Sequence, residues 1–126
     1  MIKHVSYIAD DGTNFENEDE CYEYERGLTL KKHEQNIHMW DNEFQPIPIT
    51  DSNALDKICY LTCDTAEAVK TMHNWFEDMG YSSPLDAHVD CSYAVGRHYY
   101  FQDDGGWYEA DKLIEQVRGM MKIFGV

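Results

Sequence analysis

The spacing of hydrophobic and polar positions changes several times along the chain, and each change marks an element. His4-Val5-Ser6-Tyr7-Ile8 alternates as a strand does, and Asp10-Asp11-Gly12 ends it in a turn. Asn17 stands where an N-cap belongs, with Glu20 three positions on as its capping-box partner and Phe15 just outside as a hydrophobic staple. A helix is predicted from about Glu18 to about Lys32, with a buried stripe of Cys21, Tyr24 or Glu25, and Leu28. Gly27 weakens its second half.

Residues 36–49 read as two extended pieces around Asp41-Asn42, and Pro46 and Pro48 confine them to an edge hairpin. Asp51-Ser52-Asn53 starts a brief helical turn, and Ile58-Cys59-Tyr60-Leu61-Thr62-Cys63, the most strand-like run, belongs inside the sheet. Asp64 or Thr65 caps a helix whose Ala66, Val69, Met72, His73, Phe76 and Met79 recur at helical spacing before Gly80 stops it. Residues 81–90 are loop-like. Arg97-His98-Tyr99-Tyr100-Phe101 is a strand, and Asp103-Asp104-Gly105-Gly106 turns it back into Trp107-Tyr108-Glu109. Asp111 opens a last helix with Leu113, Ile114, Val117, Met120, Met121 and Phe124 on one side, closed by Gly125. This order predicts one α+β domain over residues 1–126, a mostly antiparallel sheet covered by about three helices.

Composition fits a folded domain: 126 residues, 43% hydrophobic, with nine Tyr, five Phe and three Trp. No apolar run approaches a membrane span, and Met1-Ile2-Lys3-His4-Val5-Ser6 lacks the core of a secretion signal, so the expected location is the cytoplasm. Cys21, Cys59, Cys63 and Cys91 are expected to be free, buried thiols.

Charge changes the picture most. The net charge is -14, and half of it lies in the first 25 residues, where Asp10, Asp11, Glu16, Glu18, Asp19, Glu20, Glu23 and Glu25 face one base, Lys3. An excess of this size costs stability through self-repulsion and attracts basic surfaces. Nucleic acid and anionic membrane are disfavoured as direct ligands, because both are bound through Lys and Arg. The expected partner is a basic protein surface.

Candidate chemistry is sparse. His33-Glu34-Gln35-Asn36-Ile37-His38 misses the zinc-protease spacing, since a separation of five residues turns the second imidazole roughly 140° from the first on a helix. On a strand, Cys59 and Cys63 would lie about 13 Å apart, too far to share an ion. His88 and Cys91 could supply two ligands of a loop site, the basis of an alternative reading as a small-ligand or metal-binding domain. Asp10, Asp11, Asn14 and Glu16 lack the EF-hand register, because Gly12 comes too early. No phosphate loop or nucleophile elbow points to an enzyme, and no cofactor is expected.

The acidic residues themselves are the candidate site. On a helix, Glu16, Glu20 and Glu23, or Asp19 and Glu23, would stand about 5 to 6 Å apart along the axis, a spacing comparable to that of phosphates along a nucleic-acid strand. Asp103 and Asp104 beside Trp107 make a second acidic tip, Glu77 and Asp78 a third, and Trp40 or Trp107 could anchor a partner.

The segment from Asp11-Gly12 through Phe15 into Glu18-Asp19-Glu20-Cys21-Tyr22-Glu23-Tyr24-Glu25, preceded by Tyr7-Ile8-Ala9, resembles the opening of small acidic bacteriophage and prophage proteins. These include anti-CRISPR and other anti-defence proteins. The resemblance covers about the first 25 residues and implies a stoichiometric inhibitor that binds a host defence complex, a CRISPR-Cas effector for example, and blocks nucleic-acid access. It carries over no site residues. A self-associating phage structural or regulatory protein is a further alternative.

Overall fold

Tyr7–Ile8 (β1) and Asn14–Phe15 (β2) pair antiparallel, with Tyr7 opposite Phe15, in a computed structural model that describes residues 6–85 and 91–126. Their turn closes through Ala9 N–H donating to Thr13 O at 2.8 Å and Gly12 N–H to Ala9 O at 2.9 Å. Gly12 has φ 90°, a conformation that a β-carbon disfavours. His4 and Val5, assigned to the first strand from sequence, lie outside the described residues. The second strand was not foreseen: Phe15 joins it and also packs on Tyr24, with ring centroids 5.1 Å apart.

The first helix, Glu18–Lys32 (α1), has the predicted bounds, and the Asn17 side chain accepts from Asp19 N–H at 2.8 Å and Glu20 N–H at 3.3 Å. Its buried residues are Cys21 and Leu30; Leu28, expected inside, is exposed. Nine residues apart, Cys21 and Leu30 point to opposite sides of the helix. The early turns lie under the β1–β2 hairpin, whereas Leu30 joins the main core. Serving two partners, α1 has no single apolar stripe to read.

Four strands form the main sheet in the order β3, β4, β5, β6: Ile37–Trp40, Tyr60–Cys63, His98–Phe101 and Trp107–Glu109, all antiparallel. As the prolines require, β3 is an edge, and its return arm makes one bridge, Trp40 opposite Pro46. Ala54–Lys57 (α2) is a single turn, preceded by Asp51, whose Oδ1 accepts Asn53 N–H at 2.9 Å. β4 is central, as its apolar run predicted.

Thr65 caps the next helix, Ala66–Asp78 (α3), its Oγ1 accepting from Ala68 N–H at 3.2 Å. Val69, Met72 and Phe76 are buried as expected, but Ala68 and Trp75 complete the stripe instead of Ala66, His73 and Met79. The helix packs on β3 and β4 and also meets α1, and Trp75 lines the groove between the two helices. One face of the sheet, carrying Ile37, Met39, Leu61, Cys63 and Tyr99, closes the core together with α3.

The last helix, Asp111–Phe124 (α4), also has its predicted start, and Gly125 ends it in the left-handed conformation at φ 71°. Yet no residue of α4 is buried. Its apolar side is exposed among the described residues, from 38% at Ile114 to 74% at Phe124.

Candidate acidic interface

The cap at Asn17 holds Glu18, Asp19 and Glu20 in the first turn of α1, where the positive end of the helix dipole favours carboxylates. All three are exposed, as is Glu23 one turn on. Glu16 is exposed too, but it precedes the helix, so it does not stand in a helical row with Glu20. The expected ladder is therefore corrected: on α1 it consists of Asp19, Glu20 and Glu23, with Glu16 beside it on the connecting segment.

Other acids of the same segment hold the fold together. Tyr24 OH donates to Asp11 Oδ2 at 2.5 Å, and Asp11 Oδ1 accepts Thr13 N–H at 3.0 Å. The Tyr24 bond holds the Asp11 carboxyl below its ordinary pKa of 3.8. Glu25 Oε1 accepts Asp10 N–H at 3.1 Å. Asp11 and Glu25 thus bind the hairpin to α1.

A chain of contacts links the three acidic segments singled out from sequence. Tyr22 of α1 donates to Asp78 Oδ2 at 3.1 Å in the last turn of α3, and Arg26 approaches the same oxygen at 3.8 Å. The Asp78 carboxylate pushes the Tyr22 phenol above its usual pKa of 10.0 through the shared hydrogen bond. Two residues earlier on α3, Phe76 meets Trp107 edge-on with centroids 5.9 Å apart, and Trp107 is the first residue after the Asp103–Gly106 turn. Glu77 bonds His73 at 3.0 Å.

The hairpin tip divides its work. Asp103 is exposed, whereas Asp104 accepts from Gly106 N–H at 2.9 Å and from the Tyr108 hydroxyl. Tyr108 lowers the Asp104 pKa from its ordinary value, so this carboxylate fixes the turn. Trp107 is half-buried against the core, 5.4 Å from Phe101 between centroids, which gives it a packing role and leaves little of it as an anchor.

The metal-like patterns separate in the fold. His33 caps the end of α1, while His38 lies on β3 with Nε2 2.7 Å from Asp64 Oδ2. The thiols of Cys21, Cys59 and Cys63 are free, and burial pushes that of Cys63 up to about 12. His88 and the side chain of Cys91, the alternative ligand pair, lie outside the described residues. Among the described residues, no group of three His, Cys, Asp or Glu could hold a metal, and no helix is long and apolar enough to cross a membrane.

One surface was missed from sequence. Trp40, Tyr60, Tyr100 and Tyr108 are successive cross-strand partners, so they form one row across the face of the main sheet away from α3. Phe44 stacks on Tyr60 with centroids 5.2 Å apart. Leu113 and Ile114 of α4 meet this row along an apolar groove of 610 Å³. Each aromatic was visible in its own strand, but only the register puts them in line.

The chain matches no known protein family, no curated protein and no solved structure.

Proposed function

We propose that this protein is a stoichiometric inhibitor of phage type, whose acidic end occupies a Lys- and Arg-lined nucleic-acid site on a host defence complex and keeps nucleic acid out. The observation that carries this reading is the exposed carboxylate array Asp19, Glu20 and Glu23 on a capped helix, flanked by Glu16 and Glu18. A rigid array suits charge mimicry better than a flexible acidic tail, because little ordering entropy is lost on binding. The Tyr22–Asp78 bond brings the acidic end of α3 beside this helix. Potential complementarity of this kind speeds encounter and selects a basic partner. A CRISPR-Cas effector is the target class implied by the N-terminal resemblance, and the partner would be a protein or ribonucleoprotein in the host cytoplasm.

The test is capture of partners from nuclease-treated host lysate by the tagged protein, alongside a variant with Asp19→Lys, Glu20→Lys and Glu23→Lys. The wild type should retain one nucleic-acid-handling complex that added DNA or RNA competes away, and the variant should lose it. Equal retention by a folded variant would overturn the proposal.

A further inference from the structure

Phe101 and Trp107 are cross-strand partners, and Phe101 N–H donates to Cys59 O at 2.8 Å on the other side. Cys59 and Phe101 stand two residues from Leu61 and Tyr99, so by strand alternation Cys59, Phe101 and Trp107 form a row at the end of the core face. The row lines a cavity of 420 Å³, within the range of about 300–1,000 Å³ that small-ligand sites occupy. Phe76 and Tyr81, from the end of α3 and just beyond it, add two more rings to the wall. Phe101 and Tyr81 keep 40% and 38% of their surface open, so a ligand can reach them.

Two carboxylates share this wall. Asp56 and Asp103 both line the cavity, and both are exposed. Asp56 Oδ1 accepts the Tyr81 hydroxyl, which ties a ring to a carboxylate. Asp103, unlike Asp104, has no hydrogen bond or ion pair among the described residues. Its charge reaches the cavity: after burial and Asp41, it helps push the Cys59 thiol above its ordinary pKa of 9.0. Lys57 also lines the cavity, but its Nζ is held at 2.9 Å by Asp51, which does not.

We propose that this cavity takes the guanidinium of an arginine side chain carried by a protein partner. Aromatic faces attract a cation through the ring quadrupole, and carboxylates beside them accept charge-assisted hydrogen bonds. Rings and carboxylates together favour arginine over lysine, because guanidinium is planar, stacks on rings, forks onto carboxylates and is less strongly hydrated than ammonium. An anion would be repelled by Asp56 and Asp103, and a neutral apolar ligand would cover them without pairing them. Free arginine brings a carboxylate of its own to the same acids, whereas an arginine within a chain does not. The cavity thus gives the basic partner an anchoring side chain on elements other than α1, and only the identity of that partner rests on the inhibitor reading.

The experiment is NMR titration of the folded protein with a blocked glycine-arginine-glycine peptide at physiological salt. The Trp107 indole N–H should shift with a Kd on the order of 1 mM, as suits so small a ligand. The Trp40 and Trp75 indoles, which line other cavities, should stay in place. The lysine peptide should bind more weakly, and the neutral citrulline peptide weaker by about tenfold or more. Asp56→Asn with Asp103→Asn should weaken the arginine peptide about fivefold to tenfold, and Phe101→Leu about twofold to fivefold. The asparagine at position 56 keeps an acceptor for Tyr81, and circular dichroism should match the wild type for every variant. Glu20→Gln with Glu23→Gln removes the same charge from α1 and should leave the peptide affinity unchanged. Binding lost equally in both double variants would mean attraction by net charge and would overturn the proposal. Equal binding of the citrulline peptide, binding of free arginine as tight as the peptide, or no shift at Trp107 would also overturn it. Peptide binding that persists where lysate capture fails supports this site and counts against the inhibitor reading alone.

Discussion

Asp111 holds His98 at two points: its Oδ2 accepts the His98 backbone N–H at 3.0 Å, and its Oδ1 lies 2.8 Å from the imidazole Nδ1. The first residue of α4 is thereby tied to the first residue of β5, and with the bond from Ala110 N–H to His98 O at 2.7 Å it sets where the helix leaves the sheet. Asp111→Ala should lower stability by about 0.5 to 1 kcal/mol, a modest figure because the pair is partly open to solvent. Faster hydrogen exchange at the His98 amide, with the core amides unchanged, would show that the loss is local.

Acid should act through four carboxylates. Asp111 is held below 3.8 mainly by His98, Asp11 by Tyr24, Asp51 by Lys57 and Asp104 by Tyr108. A lowered native pKa stabilises the folded state fully above the ordinary carboxylate value, and that contribution is lost as pH falls through the lowered values. Denaturant midpoints should therefore decline only below about pH 4 from these groups. Carboxyl carbon titration by NMR should place all four beneath the ordinary aspartate value.

The α1 cap is a separate test of stability. Asn17→Ala removes the acceptor for Asp19 and Glu20 N–H and should cost about 1 kcal/mol in a thermal or denaturant melt. Asn17→Gly should cost less. A cap variant that also weakens partner capture would indicate that the array acts through its rigidity.

Phe76, the largest fully buried side chain among the described residues, is 1% exposed and bears on Trp107. Phe76→Ala should destabilise by about 3 to 5 kcal/mol. Phe124→Ala, with its ring exposed in the single chain, should leave the monomer melting temperature nearly unchanged.

Thiol reactivity should follow burial. Cys63 is fully buried and pushed up to about 12, so it should resist alkylation at neutral pH in the native protein. Cys59, only half-buried, should be modified before Cys63, as peptide mass mapping would show. Rapid labelling of Cys63 would mean that the β4 core opens readily.

Local signals carried much of the fold. Asn17 and Thr65 mark helix starts, Gly80 and Gly125 helix ends, Pro46 and Pro48 an edge, and Gly12 a turn, because each acts on the backbone within a few residues. The charge of the acidic segment was equally legible. Its division of labour was not, since Asp11 and Glu25 acquire partners only when the hairpin folds over α1.

What the sequence determined by itself was therefore the elements, their order, the central place of β4 and the acidity of the first helix. What only the tertiary structure decided was which faces are covered. The periodicity of α4 groups Leu113, Val117, Met120 and Phe124 on one side but cannot say that all four stay exposed among the described residues. Alternation in each strand likewise cannot align Trp40, Tyr60, Tyr100 and Tyr108, because that row depends on strand pairing between residues far apart in the chain. Periodicity is a property of neighbours along the backbone, whereas burial is a property of what else the chain brings to the same place.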